Sequence, residues 1–336
     1  MKILLHDPYG MKFTQDMKTW WEAHGHEVQY QRYYNPQIAN EWADVIWFDT
    51  CDNNIASATR PGSAIIADGA NYQPWDLHDM DLTNKKVIVR PIDIEVWQGH
   101  YAAARWDKID DIIFIADHIR EVANVDSFPE LNPEARVHTI PCGVNLDRYQ
   151  FAERGPGFDI AIVSEKWASK GTHLLLQVIL ALTRIDPRYK FHWLGVRSDS
   201  PWEYAYFDEF VEHHKLPIEF TNILLDGITV DEFLEGKNYL LHGSIKEGFS
   251  YATAEAMAKG IKPVVHRFFG ADALWPGLTW DTIDEAVEMI AGKDRHTNWK
   301  GDREYDSASY RQYLIDHGYT LDSMMSKFDA IINNKE

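Results

Sequence analysis

Cysteine and long apolar runs are both scarce in this chain. It has two cysteines, Cys51 and Cys142, in 336 residues, and no paired spacing that suits a disulfide framework or a zinc site. Nowhere do 18 apolar residues follow one another, and the opening apolar run in Met1–Asp7 is shorter than a signal peptide requires. We therefore expect a soluble cytoplasmic protein in a reducing compartment, with no membrane partner.

Basic residues are also in deficit. The chain holds 33 Lys and Arg against 52 Asp and Glu, a net charge of −19 at pH 7, and both halves share the acidic excess. Binding to nucleic acid or to an anionic membrane draws on Lys and Arg that neutralise phosphates. The composition argues against polyanionic partners, although it leaves room for a local basic pocket.

The rest of the composition is that of a folded protein of about two domains, at roughly 150 residues each. Hydrophobic residues make up 45% and charged residues 25%, a globular balance. Short apolar runs alternate with amphipathic stretches, which indicates an α/β protein with parallel strands. The predicted strands are 2–5, 27–30, 44–48, 64–67, 86–89, 111–115, 136–140, 159–163, 190–194, 218–220, 238–242 and 262–266. Helices are predicted at 11–23, 172–183 and 251–259.

A domain junction is predicted near residue 150. The segment from Asp147 to Gly157 carries Arg, Glu, Gly and Pro but little apolar periodicity, and the strand and helix alternation restarts after it. We expect a doubly wound domain over residues 1–150, a second over 151–307, and a helical tail over 308–336 without a further strand. Two such domains imply a cleft.

The segment from Gly243 to Val265 is the most informative part of the sequence. It is predicted to form a strand, a loop, a helix and a second strand, with Glu247 in the loop at the carboxyl end of a strand, where open α/β sheets bind ligands. Ser250 is a candidate N-cap. The backbone amides of Phe249, Ser250 and Tyr251 would then form a helix N-terminus that stabilises an anion such as a diphosphate.

A second carboxylate, Glu255, follows Glu247 by eight positions and lies more than a turn into the same helix. A carboxylate beside a diphosphate is unfavourable unless it accepts from a hydroxyl. The pair therefore suits a nucleotide sugar, with the hexose on one side of the phosphates and the ribose on the other. The alternative is two solvated glutamates around an ordinary helix start.

This run resembles the Glu-x7-Glu signature of retaining glycosyltransferases of the GT-B architecture, family 4. Glu247-Gly-Phe, the Glu255-Ala-Met-Ala stretch, the helix stop at Gly260 and the strand opening at Pro263 all follow the family pattern. The resemblance implies two Rossmann-like domains facing a central cleft. It also implies metal-independent transfer of a sugar from a nucleoside diphosphate, UDP or GDP, to an acceptor hydroxyl, with retention of configuration.

Other parts of the family pattern occur in the expected order. Pro141–Asp147 resembles the element just before the interdomain junction, and Ile160–Gly171 resembles the first strand and loop of the donor domain. The family places a basic pair there. Lys170 matches its lysine, whereas Lys166 is a shifted candidate for its arginine. The tail resembles the C-terminal helices that cross back onto the first domain.

The resemblance assigns roles to particular residues. Catalytic roles fall to Glu247, Lys170 and Asp93; Asp93 matches the aspartate of a family His-Asp pair in which Ile92 replaces the histidine. Gly10 and His100 are assigned to the acceptor side. The residues assigned to donor binding are Lys166, Lys170, Glu247, Gly248, Phe249, Ser250, Tyr251 and Glu255.

No metal site is predicted. His24 and His26 fit an ordinary transition from helix to strand, and His213 with His214 fits an exposed helix face. The Asp-x-Asp pattern at Asp79–Asp81 does not close an apolar strand, as a manganese site of that type requires.

Three alternatives to this function remain open at the level of sequence. One is a phage-type glycosyltransferase that acts on modified DNA bases, which the acidic charge disfavours. Another is a GT-B module that binds a nucleotide sugar without turnover. The third is a nucleotide-sugar 2-epimerase, which the Glu-Ala-Met-Ala stretch and the tail disfavour.

Overall fold

The structure is a computed structural model, and the chain divides in it into two compact units. One comprises Met1–Gly143 with Leu321–Glu336, and the other comprises Val144–Thr320. The residues that the structure describes are 1–8, 10–11, 14–32, 36–50, 65–67, 70–72, 82, 84–97, 106–128, 131–196, 200–292 and 305–333.

The first unit is built on a sheet of six parallel strands, in the spatial order β2-β1-β3-β6-β7-β8. A separate antiparallel hairpin is formed by β4 and β5. The strands are β1 (Lys2–His6), β2 (Glu27–Gln31), β3 (Val45–Phe48), β4 (Ile65–Ala67), β5 (Ala70–Tyr72), β6 (Lys86–Val89), β7 (Asp111–Phe114) and β8 (Arg136–Thr139). The described helices before residue 143 are α1 (Gln15–Ala23), α2 (Pro36–Trp42), α3 (Ile94–Trp97) and α4 (Asp117–Ala123), with 3₁₀ turns at Trp106–Lys108 and Val125–Ser127.

The second unit also has six parallel strands, in the order β11-β10-β9-β12-β13-β14. Counted within the unit this is 3-2-1-4-5-6, the order of the Rossmann fold. The strands are β9 (Asp159–Val163), β10 (Lys190–Leu194), β11 (Ile218–Thr221), β12 (Tyr239–His242), β13 (Lys262–His266) and β14 (Thr279–Trp280). Its described residues form the helices α5 (Thr172–Ile185), α6 (Pro201–His214), α7 (Val230–Phe233), α8 (Tyr251–Ala258), α9 (Ala271–Leu274), α10 (Ile283–Ala291) and α11 (Ser307–Asp316), with a 3₁₀ turn at Ala168–Lys170.

The final helix, α12 (Leu321–Ile332), belongs to the first unit. Its apolar residues recur at intervals of three and four, so that one face is buried against the sheet. The Phe328 ring lies 4.7 Å from that of Trp47 on β3 and 5.5 Å from the guanidinium carbon of Arg90. The helix therefore completes the core of the first unit, although it is the last element of the chain.

The predicted fold class is confirmed, because both main sheets are parallel and carry helices between their strands. Three local differences have physical causes. Helix α1 begins at Gln15 rather than at residue 11, since Met11 has a φ of +61° that does not continue a helix. The apolar run at 65–67 belongs to the antiparallel hairpin and not to the main sheet. Strands β5 and β14 have three and two residues, too few to show a period.

The unit boundary lies a few residues before the junction predicted from composition. The backbone amide of Val144 donates to the carbonyl of Tyr319, and the Arg311 guanidinium donates to the carbonyls of Leu146 and Tyr149. These bonds tie residues 144–149 to the second unit. The helical tail is divided as well, since α11 belongs to the second unit and α12 to the first.

We expect Phe328→Ala to lower the free energy of unfolding by about 3–5 kcal/mol, because it leaves a cavity between α12 and β3. Lys327→Ala, at an exposed position of the same helix, is the matched control and should change stability by less than about 0.5 kcal/mol. Urea denaturation measures both. Equal effects of the two substitutions would show that α12 does not complete this core.

Candidate functional site

The strand order of the second unit reverses between β9 and β12, and in open α/β sheets ligands bind beyond the carboxyl ends of the strands at such a point. The ladder between β9 and β12 covers two residue pairs, whereas β9 and β10 pair over five. The two strands therefore separate towards their carboxyl ends. Lys170 follows β9 and Glu247 follows β12, so the topology brings together two residues that are far apart in sequence.

Lys170 and Glu247 form an ion pair at this point. The ammonium of Lys170 donates to Oε1 of Glu247 at 2.7 Å. The Nε2 atom of His242, the last residue of β12, lies 3.5 Å from the same oxygen. Burial alone raises the pKa of Glu247, but the His242 contact and the Lys170 charge outweigh it and hold the pKa well below its usual range. Glu247 is therefore a carboxylate at neutral pH.

A close approach of two glycines lets these loops meet. Gly171 has a φ of +65°, and a Cβ there would lie 1.8 Å from the carbonyl oxygen of Gly243. The amide of Ile245 donates to the carbonyl of Ser169 at 3.1 Å, which joins the same two loops. A side chain at position 171 would force them apart, so glycine is required there for both backbone conformation and space.

The N-terminus of α8 lies directly after Glu247 in the chain. Ser250 is at the N-cap position, as predicted, but with a φ of +68°, and its hydroxyl bonds to that of Thr253 at 2.8 Å instead of capping an amide. Within the described part of the chain, the backbone amides of Gly248, Phe249 and Ser250 donate no hydrogen bond. A helix start with unused amides is suited to an anion.

Phe249 fixes this loop to the body of the unit. Its side chain is buried, and its ring lies 5.3 Å from the rings of both Trp275 and Tyr319 and 5.6 Å from that of Tyr251. The side chain therefore has a packing role. What it contributes to the site is the position of its backbone.

The other signature carboxylate, Glu255, is held by a tyrosine that the sequence analysis did not single out. Oε1 of Glu255 accepts a hydrogen bond from the Tyr149 hydroxyl at 2.7 Å. Burial, and then the charge of Glu255, raise the pKa of the Tyr149 hydroxyl, so that it remains a donor over the physiological range. The bond fixes the carboxylate on α8 to the segment that precedes β9.

Lys166 lies on the other side of β9 from Glu247. Its ammonium is 4.8 Å from the centroid of the Phe220 ring on β11 and 5.9 Å from that of Trp193 on β10. These distances are within the range of a cation–π interaction. The structure thus places the two predicted donor-site lysines towards different neighbours of β9.

Of the residues predicted in the first domain, Gly10 for the acceptor side and Asp93 for catalysis are described, whereas His100, also predicted for the acceptor side, lies outside the described residues. Gly10 follows β1, is exposed and has a φ of +82°. Asp93 follows β6, where its carbonyl accepts the amides of Val96 and Trp97 at the start of α3. Both lie beyond the carboxyl ends of strands in the first unit, as predicted.

A buried polar cluster occupies the same edge of the first unit. Arg90, after β6, donates to both oxygens of Asp49 at 2.9 and 3.1 Å and to Sγ of Cys142 at 3.0 Å. Burial raises the pKa of Asp49 to about 6, although the charge of Arg90 opposes this. Asp7, after β1, is buried nearby and accepts the Thr14 hydroxyl at 2.7 Å. Neither Asp7 nor Asp49 has a sequence signature.

The described ranges contain no group of three or more His, Cys, Asp and Glu side chains arranged to hold a metal ion. The Asp79–Asp81 pattern lies outside the residues described. Nδ1 of His24 donates to the carbonyl of Trp20, and Nε2 of His26 lies 2.9 Å from a carboxylate oxygen of Asp329. Within the same ranges, no helix is both long and apolar enough to cross a membrane.

Sequence reasoning missed His242 and Tyr149. His242 carried one usable signal, since it is a titratable residue at the end of a strand that the pattern placed beside the signature loop. Tyr149 carried none, because it meets Glu255 from 106 positions away. Only the folded chain brings these partners together.

We expect Gly171→Ala to destabilise the protein by about 2–3 kcal/mol, because the new Cβ collides with Gly243 in addition to straining the backbone. Gly227→Ala is the matched control: its φ is +66°, and nothing lies within 4 Å of the added carbon. It should lose about 1 kcal/mol, from backbone strain alone. Thermal and urea denaturation compare the two, and a loss for Gly171→Ala no larger than the control would refute the close approach.

We expect Tyr149→Phe to lower the free energy of unfolding by about 1.5–3 kcal/mol, since Glu255 loses a donor to its charged carboxylate. The control is Tyr204→Phe, because Tyr204 is 41% exposed. It should be neutral within about 0.5 kcal/mol. Urea denaturation measures both variants. A neutral Tyr149→Phe would mean that this bond adds nothing to stability.

The chain is similar to known proteins in structure but not in sequence. No family model matches it, and no curated protein sequence does. Among solved structures, HepE of Anabaena in complex with UDP superposes with a TM-score of 0.68 at 14% identity, over 99% of this chain and 100% of that one. A glycosyltransferase of Rickettsia africae gives 0.67 at 13% identity, over 99% and 98%.

A third solved structure is larger than this protein. The pneumococcal O-GlcNAc transferase GtfA, in complex with UDP and GlcNAc, gives a TM-score of 0.58 at 15% identity, over 75% of this chain and 53% of GtfA. This chain therefore spans about half the length of GtfA. The two parallel six-stranded units and the superpositions over nearly the whole chain together establish that this protein has the GT-B fold of glycosyltransferases.

Proposed function

We propose that this protein is a retaining, metal-independent glycosyltransferase that moves a sugar from a nucleoside diphosphate to an acceptor hydroxyl. The observation that carries the proposal is the Lys170–Glu247 ion pair beside the unused amides at the start of α8. It combines a cation, anion-binding amides and a hydrogen-bonding carboxylate at the switch point of a Rossmann-like sheet. Those are the groups that a nucleotide sugar requires.

Stabilising the leaving diphosphate is the main catalytic task in this proposal. Negative charge accumulates on the diphosphate as the glycosidic bond breaks, and preorganised positive groups lower the barrier most effectively. Lys170 and the amides of Gly248, Phe249 and Ser250 would supply that charge. Lys166 would be a second cation, because it follows β9 as Lys170 does. Its ammonium would have to move away from the Phe220 and Trp193 rings to reach a phosphate.

The carboxylates would bind the sugars on the two sides of the diphosphate. Glu247 would accept hydrogen bonds from hydroxyls of the transferring sugar, and Glu255, held by Tyr149, would accept from the ribose. The Tyr251 amide would extend the anion site into the first turn of α8. Each carboxylate then has hydroxyl partners that offset its repulsion by the phosphates.

The reaction would proceed on one face of the sugar. The acceptor oxygen attacks the anomeric carbon on the side that the diphosphate leaves, and its proton passes to a phosphate oxygen. The new glycosidic bond forms as the bond to the diphosphate breaks. This course avoids the two opposed carboxylates of glycoside hydrolysis. We assign the acceptor side to the first unit, with Gly10 and His100 as its candidate residues, and we propose Asp93 as a catalytic residue of the same unit.

The structural neighbours support the choice of donor. HepE was solved with UDP, with UDP and glucose, and with UDP-glucose, and GtfA was solved with UDP and GlcNAc. We therefore propose a uridine donor first and a guanosine donor second. Transfer in the cytoplasm, where nucleotide sugars are made, is part of the same proposal.

We expect Glu247→Gln and Lys170→Met each to lower kcat/KM about a hundredfold or more, since the first weakens the hydrogen bonds to the transferring sugar and the second removes the cation that stabilises the departing diphosphate. Glu209→Gln and Lys190→Met replace exposed residues of the same unit and are the matched controls. Release of free nucleoside diphosphate from a panel of UDP- and GDP-sugars, with and without acceptors, measures turnover. NMR of the product gives the anomeric configuration.

Three outcomes would contradict parts of this proposal. Wild-type rates in both site variants would refute the assignment of the site. Inversion of the anomeric configuration in the product would refute the retaining mechanism. If EDTA abolished turnover and added Mn²⁺ restored it, the reaction would require a metal ion, which would refute metal independence. Thermal stabilisation by a donor without transfer or hydrolysis would instead identify a binding module.

A further inference from the structure

The His242 imidazole lies beside Glu247, as Lys170 does, but its surroundings differ from those of the lysine. It is the last residue of β12, its side chain is 5% exposed, and its ring packs edge-on against Phe268 at 6.1 Å. Strand and packing therefore fix the imidazole. Lys170, by contrast, is at the end of a short 3₁₀ turn with its side chain 27% exposed, and it reaches Glu247 through a flexible stem.

The Lys170 ammonium and the His242 imidazole both lie near the same carboxylate oxygen of Glu247. Lys170 Nζ lies 2.7 Å and His242 Nε2 lies 3.5 Å from Oε1. A diphosphate at the start of α8 carries more negative charge than one carboxylate and would draw the lysine towards it. Glu247 would then lose its nearest cation at the step when its own position matters most for the sugar.

The His242 imidazole can donate a hydrogen bond to the Glu247 carboxylate in place of Lys170. Donation from Nε2 leaves Nδ1 without a proton, and Nδ1 is buried with no hydrogen-bond partner in the part of the chain that the structure describes. An N–H at Nδ1 would be buried without an acceptor, which is costly, so this tautomer suits the surroundings. The 3.5 Å separation is long, but hydrogen bonds in ligand-free sites often shorten when the complex forms.

We propose that His242 is a positioning residue that holds Glu247 in place for the transferring sugar while Lys170 turns to the diphosphate. This inference rests on the proposed function. His242 itself would touch neither the donor nor the acceptor. Its effect on the reaction would pass entirely through the orientation of the Glu247 carboxylate.

The experiment compares His242→Leu and His242→Gln with the wild-type protein. Leucine fills the buried space of the imidazole but has no hydrogen-bond donor. The glutamine amide, in contrast, can donate from nearly the position of Nε2. Binding of UDP and UDP-glucose is measured by calorimetry, and turnover by release of UDP. GDP and GDP-mannose are used in the same way if the donor panel selects guanosine.

For His242→Leu we expect kcat/KM to fall about tenfold to a hundredfold and most of the affinity gained from the sugar to be lost, as for one hydrogen bond to a charged group. The affinity for UDP alone should stay within about twofold, because UDP does not use Glu247. His242→Gln should recover most of the loss. Lys170→Met provides the contrast, since it should weaken UDP and UDP-glucose alike.

Unchanged kcat/KM in His242→Leu, in a wild-type background that turns over donor, would overturn the inference and leave the proposed function intact. Equal weakening of UDP and UDP-glucose, not rescued by glutamine, would overturn it in favour of a purely structural role. A wild-type protein that binds none of these nucleotides would overturn the proposed function and this inference together.

Discussion

The candidate site depends on one steric constraint, the contact between the backbones at Gly171 and Gly243. The first glycine follows the 3₁₀ turn after β9, and the second follows β12. Because Gly171 has no side chain to collide with the Gly243 carbonyl, the two loops lie close enough for Lys170 to reach Glu247 at 2.7 Å. An ion pair between residues 77 positions apart is thus a consequence of main-chain packing, and the conformations of the long side chains only complete it.

The two units use the same architecture for different arrangements of charge. In the second, the polar groups beyond the strand ends are partly exposed and include amides that make no bond within the described residues, which is the condition for binding a ligand. In the first, Arg90 and Asp49 are both about 1% exposed and are engaged with each other and with Cys142. The two charges are paired with each other inside the unit, at the edge of its sheet beneath α12.

Much of the fold follows from periodicity. The central strands of the two main sheets, such as β3 and β12, are short runs of mostly apolar, buried residues, as expected of strands covered on both faces. The antiparallel pairing of β4 with β5 could not be predicted from periodicity. A strand of three residues can have the same apolar sequence in a parallel sheet and in an antiparallel pair. The division of the tail was also hidden, because a helical pattern does not say which core a helix packs on: α11 belongs to the second unit and α12 to the first.

By itself, the sequence determined the fold class, most of the main-sheet strands, and the loop and helix that carry Glu247 and Glu255, since spacing and turn chemistry are local properties. The tertiary structure alone decided which groups meet that loop. It paired Lys170 and His242 with Glu247, Tyr149 with Glu255, and Lys166 with the aromatic rings on the far side of β9. The physical reason is that a hydrogen bond or an ion pair is fixed by distance in space, and distance between strand ends is set by the order of strands in the sheet, which no short stretch of sequence contains.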